Sequence, residues 1–143
     1  MVQHADIDHT GITGVGGAVD TEDAQQGADI TLTAATYINI TSVALAAGTW
    51  DIWGWLTAGN VSGPSEQYAQ IWNGSAQLAQ TVQVNGNNGG GDYITVAVFA
   101  AAVVLASPTT IYLRGHSTLA GTAYGSTSLG TGGGSKIHAM KIA

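Results

Sequence analysis

The chain contains no cysteine. Disulfides, zinc–thiolate sites and cysteine nucleophiles are therefore excluded. Basic residues are almost as scarce: Arg114, Lys136 and Lys141 stand against nine acids, and the net charge is −6. Nucleic-acid binding needs clustered lysine and arginine to neutralise phosphates, so it is rejected. Charge of either sign is rare, at 8% of residues, where ordinary soluble domains carry roughly 25%. There are only two prolines, Pro64 and Pro108. No apolar run approaches the roughly 18 residues needed to cross a bilayer as a helix. The longest, 96–106, is rich in alanine and valine and reads as a buried strand. Residues 1–10 carry neither the basic nor the apolar region of a secretion signal. No membrane partner is expected.

The chain does hold 45% hydrophobic residues, 21 glycines and four tryptophans, at a mean hydropathy of +0.18. At 143 residues a single folded domain is expected. So little charge on an apolar chain implies a surface covered by partners, and self-association is the simplest cover. The alternative is a surface solvated by the many Thr, Ser, Asn and Gln side chains.

Two regions differ in texture. Residues 1–28 read as an extended N-terminal arm. Asp6, Asp8, Asp20, Glu22 and Asp23 lie in it, and its apolar residues Ile7, Ile12, Val15 and Val19 are isolated. Gly11, Gly14, Gly16 and Gly17 add backbone entropy that folding must overcome. A single helical turn is expected over 21–26, ended by Gly27. Residues 29–143 read as a β-domain. Strands are predicted over 29–33, 37–45, 49–58, 67–72, 78–84, 92–106, 110–116, 122–129 and 136–142. Asn73-Gly74 is a hairpin turn, and Ser107-Pro108 interrupts pairing. The loops 59–65 and 85–91 are expected together at one end. Eight to ten short strands with no helix between them indicate an all-β antiparallel sandwich of jelly-roll type.

The strand at 49–58 has a clear two-residue period. Trp50, Ile52, Gly54 and Leu56 fall on one face, and Asp51, Trp53, Trp55 and Thr57 on the other. Trp50 is assigned to the core. Trp53 and Trp55 are assigned to a subunit interface, where aromatics are enriched, with sugar stacking as the alternative. The last strand is apolar on both faces, which suits a strand paired on both edges, its His138, Met140 and Ile142 side meeting a neighbouring subunit. Arg114 is expected to pair with an acid at that interface.

No catalytic set is legible. Asp51, Glu66 and Asp92 are single acids with nothing to bring them together as a glycosidase pair, and no nucleophile elbow is present. His4, Asp6, Asp8 and His9 have metal-ligand chemistry but no rigid frame. Asp20, Glu22 and Asp23 lack EF-hand spacing and read as a solvated hinge. No cofactor is implied. The sequons at Asn39, Asn60 and Asn73 carry no weight without a secretion signal.

Three segments carry a resemblance. Val43-Ala-Leu-Ala-Ala-Gly-Thr-Trp-Asp-Ile-Trp-Gly, Ser107-Pro-Thr-Thr-Ile-Tyr-Leu-Arg-Gly and Ser135-Lys-Ile-His-Ala-Met-Lys-Ile together resemble strands of C1q/TNF-like jelly rolls. In phage and bacterial structural proteins such domains are typically homotrimers. The run His4-Ala-Asp-Ile-Asp-His-Thr-Gly-Ile-Thr-Gly-Val-Gly is similar to linkers that join jelly-roll heads to phage particles. It starts at residue 4, with no shaft repeat before it. The resemblance implies a non-enzymatic capsid decoration (cement) protein on the outer capsid surface of a bacteriophage virion. It would be a homotrimer bound to the major capsid protein through His4, Asp6, Ile7, Asp8, His9 and Ile12. Its trimer interface would hold Trp53, Trp55, Arg114, His138 and Met140. The alternative is the receptor-binding or adhesion head of a tail fibre or spike, taking a host-surface glycan.

Overall fold

The computed structural model describes residues 20–59, 62–86, 93–129 and 133–143. Two antiparallel sheets face one another. The first contains β1 (Thr21–Gln25), β10 (Lys136–Lys141), β4 (Gly48–Gly59), β9 (Gly121–Ala123) and β2 (Ile30–Leu32), with β7 (Tyr93–Leu105) along the free edge of β4. The second runs β3 (Ile38–Leu45), β8 (Thr109–Ser117), β5 (Ser65–Trp72), β6 (Gln77–Asn85). The chain is an all-β jelly-roll sandwich. As its apolar character on both faces suggested, β10 is paired on both edges, with β1 on one side and β4 on the other.

Strand β4 organises the core. Trp50, Ile52 and Leu56 are buried as their period requires, and they meet Ile71, Ile111, Leu113 and Ile137. Burying a side chain of this size contributes roughly 1.5–3 kcal/mol each, set against the entropy of ordering. The Trp50 ring is enclosed but its indole N–H is satisfied, donating to the Ala46 carbonyl at 3.0 Å. Gly54 sits where the opposing sheet comes close: a Cβ there would lie 2.8 Å from Leu113 Cδ1 of the facing strand.

Two expectations are corrected. Residues 21–25 form a strand, β1, not a helical turn, and pair with β10. Five residues are too short to hold a helix unaided, and the open edge of β10 offers them a ladder of backbone partners. The predicted strand over 122–129 divides into β9 and a short helix, α1 (Ser126–Leu129). There Asp29 binds the Gly125 N–H and the Ser128 hydroxyl, and Ser126 N–H donates to the Gln26 carbonyl, holding the chain away from the sheet. The predicted strand over 92–106 is found as β7, unbroken for 13 residues, with its register shifted opposite Asp51, where Ala102 takes a left-handed φ of 50°.

Candidate interaction faces

The core consumes one face of each sheet, so chemistry is left to the two outer faces. On the first sheet, strand pairing lays the side chains in rows. One row runs Asp23, His138, Trp53, Phe99 across β1, β10, β4 and β7. The next runs Gln25, Lys136, Trp55, Ala97. A third begins Thr21, Met140, Asp51. Four of the residues expected at a subunit interface, Trp53, Trp55, His138 and Met140, thus share one face. His138 packs on Trp53 with ring centroids 4.6 Å apart, and Phe99 tilts against the same indole at 6.3 Å. The Lys136 ammonium lies 5.1 Å from the Trp55 ring centre. A groove of about 520 Å³ runs between β1 and these aromatics, lined by Asp23, Gln25, Trp53, Trp55, Lys136 and His138 among others.

The sequence reading missed Phe99 and Tyr93, which stand 55% and 53% exposed on the same face. Their signal was present in the alternation Tyr93, Thr95, Ala97, Phe99. It was masked because the intervening positions of β7 are also apolar.

Arg114 is elsewhere. It lies on β8, on the outer face of the second sheet, so the five residues do not form one patch. A row runs Asn39, Arg114, Gln70, Gln80 across β3, β8, β5 and β6. Aromatic rows flank it, Tyr68 with His116 on one side and Trp72 with Tyr112 on the other. The Arg114 guanidinium carbon lies 5.1 Å from the Tyr37 ring centre and 4.8 Å from that of Trp72. Nη1 donates to Gln70 Oε1 at 3.2 Å. Gln70 Nε2 in turn donates to Gln77 Oε1 at 2.8 Å, and the Tyr37 hydroxyl donates to Gln80 Oε1 at 2.7 Å. Among the described residues no carboxylate of this chain lies in ion-pair range of Arg114; the ion pair found joins Lys141 to Asp20 at 3.8 Å. Arg114 Nε and His116 Nδ1 are enclosed with no partner among the described residues. His116 packs against Tyr37 at 4.7 Å and edge-on to Tyr68 at 5.0 Å. Burial holds its imidazole below the usual range, with the Glu66 carboxylate opposing that shift. Tyr37 is raised by burial, against the Arg114 charge. Tyr68 is raised chiefly because its hydroxyl donates to Glu66 Oε2, at 2.5 Å.

The remaining candidates are dispersed. Asp51 and Glu66 stand on different sheets and each is engaged locally, Asp51 with the Ala102 N–H and Glu66 with Tyr68. Asp92 lies outside the described residues, as do most of the loop 85–91 and part of 59–65. Asp20, Glu22 and Asp23 belong to the start of the sandwich rather than to a hinge, and Glu22 and Asp23 point to opposite sides of β1. Among the described residues no three His, Asp or Glu groups converge to hold a metal. The arm residues His4, Asp6, Ile7, Asp8, His9 and Ile12 lie outside the described residues.

No family model and no curated protein matches this chain. Solved structures do. An Eiger TNF from S. frugiperda superposes with TM-score 0.55 at 10% identity, over 87% of this chain and 93% of that one. The structure of infectious bursal disease virus, Gx strain, matches with TM-score 0.50 at 10% identity. That match covers 87% of this chain and 33% of the viral chain, so this protein spans about a third of its length. The fold is therefore a jelly roll like those of the Eiger TNF and of the bursal disease virus chain, and at such low identity the likeness speaks for the fold alone.

Proposed function

We propose that the chain is a non-enzymatic structural protein of a bacteriophage virion, a homotrimeric decoration protein that binds the outer capsid surface. The N-terminal segment, including His4, Asp6, Ile7, Asp8, His9 and Ile12, latches onto the major capsid protein. The jelly roll projects outward as the folded head. The observation that carries the reading is the outer face of the first sheet, where Trp53, Trp55, Phe99, Tyr93 and Met140 form an apolar aromatic surface on a chain with 8% charge. Such residues are enriched where subunits meet. The TNF-like topology supports threefold packing, and the viral neighbour supports a place in a particle. In a trimer, three weak latches act together, so avidity substitutes for a tight single contact.

Co-sedimentation with empty shells of the parent particle tests this reading. Deletion should stop at residue 19, because Asp20 pairs with Lys141 and β1 follows directly. The truncated protein should remain a folded trimer and no longer sediment with shells. Retained shell binding would remove the latch, and a monomeric full-length protein would remove the trimer. A receptor-binding or adhesion head is the second reading, favoured by the polar aromatic face around Arg114.

A further inference from the structure

We propose that the outer face of the second sheet is a binding site for an acidic saccharide, with Arg114 holding the sugar carboxylate. The proposal does not rest on shell binding or on the trimer.

Charge is the first observation. Arg114 is the sole arginine in the sequence and the sole cation on this sheet, in a chain of net charge −6. Acids are three times as numerous as bases, yet none of the described ones sits against it. Of the five N–H donors of a guanidinium, the described residues engage one, through the neutral Gln70 amide. A held, half-buried guanidinium without a counter-charge among the described residues favours an anion, and a carboxylate matches its planar fork.

Layout is the second observation. Polar planar groups (Asn39, Arg114, Gln70, Gln80) form one row, between rows of rings (Tyr68 and His116, Trp72 and Tyr112). Rings offer apolar surface to the C–H face of a pyranose, and amides pair with its hydroxyls. Four strands at about 4.8 Å spacing span roughly 14 Å, the length of a trisaccharide. The row is also set in advance: Tyr37 is tied to Gln80, Gln80 and Gln77 both accept from Gln70, and Gln70 accepts from Arg114. Preorganised groups lose little freedom on binding. An acidic peptide would supply carboxylates too, but it would leave the flanking rings without a C–H face to cover.

Because the chain has one arginine, its side-chain Nε–Hε gives a single resonance in an ¹⁵N–¹H spectrum. The intact protein would be titrated with trigalacturonate, maltotriose and triglutamate. The expected result is a saturable shift of that resonance with trigalacturonate only. Arg114→Gln should weaken trigalacturonate binding about tenfold or more, as loss of a charge-assisted hydrogen bond predicts. Arg114→Lys, which keeps charge but not the fork, should fall between. Should Arg114→Gln fail to fold, Gln80→Ala, at an exposed position, should weaken binding measurably, and unchanged affinity would count against the site. An equal response to maltotriose overturns the carboxylate assignment. A triglutamate response as strong as that to trigalacturonate overturns the saccharide. No response to any of the three overturns the site.

Discussion

Asp51 Oδ1 accepts a hydrogen bond from the backbone N–H of Ala102 at 2.8 Å. The contact spans β4 and β7 at the point where their register shifts. An acid that could have served catalysis in the sequence instead anchors a bulge, in which Ala102 adopts a left-handed φ of 50°.

Two substitutions test that bulge. Asp51→Ala should destabilise the fold by about 1–2 kcal/mol, because a backbone donor loses its acceptor. Asp51→Asn keeps the acceptor and should cost less. Ala102→Gly should stabilise by about 1 kcal/mol, since the left-handed region carries a penalty for any residue with a Cβ. Urea unfolding of the three variants would check the order, and a stabilising Asp51→Ala would contradict it.

Gly54 packs against Leu113 of the opposing sheet. Gly54→Ala should cost about 1–3 kcal/mol by overpacking, since its Cβ meets Leu113 Cδ1 at 2.8 Å. Leu113→Val removes a methylene from the same space. The double variant should be more stable than the two single losses added together, because neighbours in contact are not additive. A thermal double-mutant cycle measures this, and strict additivity would mean the two sites do not share that space.

His116 should make stability fall on acidification. Its folded pKa lies below its ordinary value of 6.5, chiefly through burial. The unfolded chain then binds the proton more readily, so stability is intact above about pH 6.5 and is lost as pH falls below it toward the folded value. His116→Gln should flatten the slope of melting temperature against pH between about 7.5 and 5.5. An unchanged slope would assign the effect to other groups.

The outer face of the first sheet should govern self-association. Trp53→Glu places a charge between His138 and Phe99, both of which touch that indole. It should shift the protein from trimer to monomer in sedimentation velocity while leaving the strand signal in circular dichroism intact, since the side chain points away from the core. Thr81→Glu, on an exposed position of β6, serves as the control and should leave assembly unchanged. Equal assembly of both variants would remove this face from the interface.

Much of this fold follows from local chemistry in the chain. The two-residue period around Trp50 sorted core from surface from Trp50 to Leu56, because the sandwich buries one side of β4 there; Thr57, on the other side, is buried as well. Asn73-Gly74 marked its hairpin, and Asn73 Oδ1 there accepts from the Ser75 and Ala76 N–H groups. Strand composition and the scarcity of helix-forming stretches were enough for an all-β sandwich. Residues 21–25 could not be read the same way: polar and acidic, they become a strand because β10 presents an open edge, a fact of the tertiary fold alone. The same holds for Arg114. Its sequence neighbours gave no hint of Tyr37, Gln70 or Trp72, which reach it from other strands. Where the sequence alternates, as along β4, it determined which side of the strand faces out, because side-chain direction is local. Only the pairing of strands decided which outward residues share a face. That pairing separated Arg114 from Trp53, Trp55, His138 and Met140, since register joins residues far apart in the chain.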